Sequence, residues 1–208
     1  MRHIPKCDTN EIEILMFEDA LERSLKPSEE YDIEKWLFVP NFYSEYRYIL
    51  GTKGNNPLVC IGINPSTARP DALDPTLKSV ERIALANGFD SFIMFNVYSQ
   101  RATDPSLMEK KLNAQMHGEN MKAFRYILSL YKENKPSIWA AWGNIIETRD
   151  YLIDCVTDMI EIGESCGAVW YSAGKRSVKG HPHHPLYLKS NSPLDEFDIR
   201  KYCESIKG

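Results

Sequence analysis

The sequence predicts an α/β fold: a three-layer α/β/α sandwich around a central, mainly parallel four-stranded sheet, with an N-terminal helix and β-hairpin added. Two observations predict it. Four short apolar runs, Leu58 to Ile63, Phe92 to Asn96, Ser137 to Trp142 and Ala168 to Tyr171, are separated by stretches of helical pattern, the signature of consecutive βαβ units. The runs are continuously apolar rather than alternating, as strands covered on both faces must be. A length of 208 residues with 43% hydrophobic and 26% charged content fits one globular core and excludes a disordered, collagen-like or coiled-coil chain.

Each element has a local reason. From Glu11 to Leu25, Ile12, Leu15, Met16, Asp19 and Leu21 recur at helical spacing until Lys26-Pro27 ends the pattern, which predicts an amphipathic first helix. Trp36 to Leu50 is aromatic and β-prone, and Gly51, Gly54 and Asn55-Asn56-Pro57 supply turn chemistry before the next run, so this strand is read as entering a hairpin. Helices are predicted over Pro75 to Ala86, about Pro105 to Tyr131, and Ile145 to Met159, with a weak one closing a polar tail. No repeat, low-complexity segment or linker appears. Residues 1–208 are therefore read as one domain, with 1–57 as helix and hairpin and 58–188 as core.

Composition narrows the function classes. There are 25 Lys and Arg against 29 Asp and Glu, a net charge of -4, which disfavours a strongly basic nucleic-acid binder. The five cysteines do not pair at CxxC spacing, so neither a disulfide framework nor a zinc site is suggested. The stretch MRHIPKCDTNEIEI lacks the apolar core of a signal peptide, and no apolar run is long enough to span a bilayer. A cytoplasmic location without membrane association is expected.

In an open parallel sheet the ligand crevice lies beyond the carboxyl ends of the strands, so the residues after each run matter most. These are Gly62-Ile63-Asn64-Pro65-Ser66-Thr67-Ala68, then Asn96-Val97-Tyr98, then Trp142-Gly143-Asn144, then Gly180-His181-Pro182-His183-His184-Pro185-Leu186-Tyr187. Taken singly they have plain readings: Asn64 as a turn residue before proline, Asn96 as a cap, Trp142 as packing and Gly143 as a turn. The histidines admit a metal site, a solvated loop, or an active-site loop with one working imidazole. The HxHH spacing matches no common ligand pattern, and residues 167–194 contain no carboxylate, so no metal is assigned. No cofactor is implied.

Together, in this order and on this framework, the exits GINPS, FN, WGN and HPHHPL resemble the uracil-DNA glycosylase superfamily, over Leu58 to Leu188. A nearer resemblance is to a family of uncharacterised domains marked by NPSTA (Asn64 to Ala68), Asp-Pro-Thr (Asp74 to Thr76) and HPLYL (His184 to Leu188). The superfamily resemblance implies that Asn64 positions an attacking water, Asn96 reads the edge of an extruded base, and His184 or His181 hydrogen-bonds the departing base. His184 is preferred because Pro185-Leu186 continues the pattern. Gly62, Pro65, Ser66, Trp142, Gly143 and Asn144 would complete the base pocket, Phe95 and Tyr98 would stack on the base, and Tyr187 and Leu188 would approach DNA. Asp74, absent from the glycosylase pattern, is read as a helix cap and kept as a candidate site residue.

Those residue types suit the chemistry. Breaking an N-glycosidic bond builds positive charge on the sugar and negative charge on the base, so a fixed donor and a held water are needed. A neutral imidazole donates at pH 7, and an amide orients water without ionising. The expected partner is DNA or a nucleobase-containing small molecule. Residues 167–194 carry Lys175, Arg176, Lys179 and Lys189, leaving 21 basic against 29 acidic residues elsewhere, so phosphate contact is expected from this segment. The competing expectation is a non-catalytic module that holds a base, nucleotide or nucleic acid.

Overall fold

The computed structural model describes residues 2–131 and 134–207. Seven strands form one mixed sheet: β1 (Trp36–Val39), β2 (Ile49–Thr52), β3 (Pro57–Gly62), β4 (Ser91–Asn96), β5 (Ser137–Ala140), β6 (Val169–Ala173) and β7 (Leu194–Glu196), in the order β1-β2-β4-β3-β5-β6-β7. The four predicted runs are its parallel centre, with Gly62 opposite Asn96, Val59 opposite Ile138 and Ile138 opposite Trp170. The expected four-stranded sheet is corrected to seven, because β1 and β2 extend one edge and β7 the other, all antiparallel.

Among the described residues five helices accompany the sheet: α1 (Phe17–Ser24), α2 (Pro75–Ala86), α3 (Ala114–Ser129), α4 (Tyr151–Ser165) and α5 (Ile199–Lys207). Alternation along the strands divides them. Val59, Ile61, Phe95 and Ile138 join the core built with α1, α3, α4 and α5. Leu58, Cys60, Phe92, Met94 and Trp139 join the core built with Leu77, Val80 and Ile83 of α2. A period of two with both faces covered is why these strands read as continuous apolar runs.

α2 occupies the predicted span, opened by Asp74, whose Oδ1 accepts from Leu77 N at 3.0 Å, with Pro75 at the first helical position. α1 is shorter than predicted. Backbone groups ahead of it bond to tertiary partners instead: Thr9 N donates to Glu109 (2.9 Å) and Leu15 N to the Tyr46 hydroxyl (2.9 Å). The hairpin is also corrected. Its connection is 40–48, after Pro40 interrupts the ladder, and β2 pairs with β4 because β3 is already flanked by β4 and β5. The predicted helical stretches 105–131 and 145–159 each begin with a 3₁₀ turn, Pro105–Leu107 and Gly143–Glu147, before α3 and α4 proper. Among the described residues no helix is long and apolar enough to cross a membrane, and the five cysteines are free.

Candidate functional site

β3 leads into α2 on one face of the sheet, whereas its neighbours β4 and β5 lead into α3 and α4 on the other. The connections diverge, and a cleft of ≈ 420 Å³ opens beyond the carboxyl end of β3. It is walled by 62–67, by the start of α2, by Met94 and Asn96 of β4, and by His184, Leu186 and Tyr187. Backbone bonds hold the two strand exits together: Val97 N to Gly62 O, Tyr98 N to Ile63 O and Ala102 N to Pro65 O, each 2.9 Å. A larger cleft of ≈ 550 Å³ lies at the amino end of β3, but Lys53 is its one charged described residue.

The amide of Asn64 is oriented by its nitrogen. Nδ2 donates to the carbonyls of Ala102 (2.7 Å) and Pro65 (3.0 Å), leaving Oδ1 as the acceptor for the cleft. Nδ2 thus takes the turn role, and Oδ1 is the atom a ligand could meet. Asn96 is 1% exposed, and neither its Nδ2 nor its Oδ1 has a partner among the described residues. It caps no helix or turn. Burying an amide in this state costs about 1–3 kcal/mol. Gly62, in register with it, leaves room that Met94 fills: a Cβ there would lie 2.6 Å from Met94 Cε, displacing that methyl, and in ordinary contact with Asn96 Oδ1 at 3.4 Å.

His184 opens the 3₁₀ turn Pro185–Tyr187, and its Nδ1 accepts from Leu186 N at 3.3 Å. With Nδ1 accepting, the neutral ring carries its proton on Nε2. Burial lowers its pKa below the ordinary 6.5, the neighbouring His183 adds to this, and Asp74 opposes it. The turn is anchored by Ser79 of α2, whose hydroxyl donates to Pro185 O at 2.8 Å. Gly143, at φ +63°, lets the chain pass beside His184. Asp74 is the one carboxylate among the lining residues, and capping α2 occupies only its Oδ1. Pro65 and Ser66 line the cleft, the Ser66 hydroxyl paired with Thr103 at 3.0 Å, and Tyr187 stands at its rim, 79% exposed.

Other expected site residues lie elsewhere. Phe95, one position out of phase with Met94 and Asn96, faces the opposite core and packs on Phe124 at 5.1 Å. Tyr98 is buried, bonded to Glu109 and Asn113 and packed on Tyr151. Neither can stack on a base in the cleft. His181 has both ring nitrogens engaged, Nδ1 with the Tyr202 hydroxyl (2.9 Å) and Nε2 with Glu147 (3.0 Å). Trp142 Nε1 donates to the same hydroxyl at 2.8 Å. These two form a polar link to α5 rather than the cleft wall. Asn144 is exposed on its 3₁₀ turn, outside the lining. Leu188 packs against the α2-side core. In the basic segment, Lys179 pairs with Glu147 and Arg176 lies over the Phe197 ring, so two of its four cations already have partners. Among the described residues no group of three or more His, Cys, Asp or Glu could hold a metal ion.

Sequence reasoning missed two arginines. Segments 45–47 and 99–101 run antiparallel, with Arg47 N on Ser99 O (3.0 Å) and Arg101 N on Glu45 O (2.7 Å). Both side chains reach the Ala68 carbonyl from Nη1 at 3.3 Å, and Arg101 Nη1 also donates to Ser66 O. Each is 0% exposed, and Arg47 lines the cleft. Nε and Nη2 of both are buried without hydrogen-bond partners among the described residues, and neither arginine joins an ion pair there; the Arg101 guanidinium lies over the Tyr43 ring, 4.3 Å from its centroid. Burial, reinforced by Arg101, pushes Arg47 down to about 9, and burial pushes Arg101 down to about 10. The signal was present: Arg47 stands between Tyr46 and Tyr48 in an otherwise aromatic run, where a solvated cation is out of place.

Residues 47–186 match the family described as "Protein of unknown function (DUF1643)". That span begins at Arg47 and contains every cleft-lining residue except Tyr187. No curated protein and no solved structure matches the chain. The match covers well over half of the sequence, and the chain belongs to the DUF1643 family.

Proposed function

We propose that the cleft beyond β3 holds a nucleobase and hydrolyses the bond joining it to its sugar. The observation that carries this reading is Asn96, whose buried amide offers a donor and an acceptor side by side with no partner among the described residues. The edge of a nucleobase presents the complementary pair. His184 and Asn64 support it, one presenting a neutral Nε2–H and the other an oriented amide oxygen. The resemblance of the four strand exits to the uracil-DNA glycosylase superfamily points the same way.

In the proposed reaction a water held by Asn64 Oδ1 adds to C1′ as the C1′–N bond breaks. The bonding pair leaves on the base, whose oxygen accepts the Nε2–H of His184. The water's proton passes to Asp74 and then to solvent, and the base takes its proton from solvent, so one water is consumed and a free base and a sugar hemiacetal result. Asp74 also stabilises the positive charge that develops on the sugar.

The test is chromatography of free base released from uracil-containing and damaged oligonucleotides, single- and double-stranded, and from nucleosides and nucleoside 5′-monophosphates. The wild-type protein is expected to release base and Asn64→Ala to lose about 10²-fold or more of the rate. No free base from any member of the panel overturns the hydrolase reading. A second reading, a module that binds a base without turnover, is favoured by the commitment of Asn64 Nδ2 to backbone carbonyls. It predicts saturable thermal stabilisation by the same compounds, without product.

A further inference from the structure

We propose that Arg47, which lines this cleft, and Arg101, which meets it at the Ala68 carbonyl, form an anion subsite built for the terminal phosphate of a free nucleotide. The base-binding reading above supplies the nucleoside half of this ligand; the phosphate half stands on the arginines.

Two guanidinium groups converge on one carbonyl, that of Ala68, with no carboxylate at ion-pair distance. Buried charges normally persist only when paired, and two like charges side by side make the arrangement dearer still. Nε and Nη2 of each arginine remain unsatisfied, four donor nitrogens on two planar forks. A phosphate presents terminal oxygens that such forks grip in pairs, and its negative charge offsets the repulsion between the cations. Tyr43 first, then Asp74 and Glu45, bias Arg101 toward the charged form, and Asp74 does so for Arg47, none of the carboxylates pairing with either.

Enclosure decides which phosphate. Both side chains are 0% exposed and only Arg47 lines the cleft, so a strand running past cannot reach them, and a group that displaces their cover has to be the end of its ligand. A phosphodiester within a strand continues on both sides and requires an open groove. The basic segment that would line such a groove has two cations already engaged, Lys179 on Glu147 and Arg176 over Phe197. A cleft of ≈ 420 Å³ is of a size to enclose a mononucleotide.

The test is calorimetric titration of the full chain with nucleoside 5′-monophosphates, the matching nucleosides, ribose 5-phosphate and a duplex oligonucleotide, repeated with Arg47→Met, Arg101→Met and Arg101→Lys. The preferred monophosphate is expected to bind about 10- to 100-fold more tightly than its nucleoside. That ratio should fall close to one in both methionine variants and be partly kept in Arg101→Lys. Unliganded, the methionine variants should melt no lower than wild type, because a buried repulsion is removed; a structural arginine would give the opposite shift. A wild-type ratio near one, or a ratio unchanged in the variants, overturns the subsite. If a variant does not fold, the wild-type ratio and ribose 5-phosphate binding decide alone. Tighter binding of the duplex than of every monophosphate overturns the assignment to a free nucleotide. Ribose 5-phosphate binding as well as any nucleotide leaves the subsite standing and removes the base reading; nucleosides binding as well as their phosphates does the reverse.

Discussion

His181 and His184 stand three residues apart in one proline-stiffened loop, yet they belong to different parts of the molecule. His181 bridges Tyr202 of α5 and Glu147 of the 3₁₀ turn after β5, and Trp142 shares the same hydroxyl. Every polar atom of its ring is committed. His184 gives Nδ1 to the turn that follows it and has no partner for Nε2 among the described residues, at the wall of the cleft. Burial does not separate the two, since His181 is the more buried. What separates them is the count of ring nitrogens already engaged, which the sequence cannot show because Tyr202 and Glu147 are distant along the chain.

The contrast predicts opposite responses to one substitution. His184→Ala should lower base release by about 10²–10³-fold, the loss typical of a donor to developing negative charge. Its stability should stay within about 1 kcal/mol of wild type, since only the Leu186 N–H, in an exposed residue, loses its acceptor. Rate measurements beside urea unfolding check both halves, and an unchanged rate would mean that His184 is only a cap.

His181→Ala should do the reverse, costing about 2–3 kcal/mol in urea unfolding because the buried Tyr202 hydroxyl and the Glu147 carboxylate lose their shared partner. The folded protein should keep its rate. A folded His181→Ala protein without activity would move the working imidazole to His181 and break the comparison.

The legible parts of this protein are those written in short stretches. The parallel strands were legible because a strand buried on both faces admits only apolar residues, and α2 because Asp74-Pro75 marks its start. The strand exits Gly62 to Ser66 and Asn96 could be found because the fold rule says where to look. What was missed depended on pairings between distant segments. α1 starts late because Tyr46 takes Leu15 N, inside the predicted span, and Glu119 takes Phe17 N where the helix begins. Phe95 and Tyr98 read as stacking partners because sequence order does not reveal that Phe95 lies on the face opposite Asn96. Arg47 and Arg101 meet only because 45–47 pairs with 99–101, and their significance comes from their forming no ion pair among the described residues.

The smallest expected effect lies in the pH dependence of stability, which separates His184 from Glu147 by window. His184 has its pKa lowered from 6.5, by burial first. Below pH 6.5 the unfolded chain therefore binds a proton that the folded protein resists, and stability declines as pH falls from 6.5 toward the folded value, with no effect above it. His3, also lowered chiefly by burial, adds in the same direction. Glu147, in the His181 network, is held below 4.5 by Lys179 first and His181 second. Its contribution is present above 4.5 and is lost as pH falls below that value. Urea unfolding across both windows should show His184→Gln flattening the decline just under 6.5 and leaving the acid one intact. His181→Ala, which removes the second of Glu147's partners, should shrink the acid one. If the two variants flattened the same window, the loop would be a single coupled unit, and assigning one imidazole to the cleft and the other to the scaffold would fail.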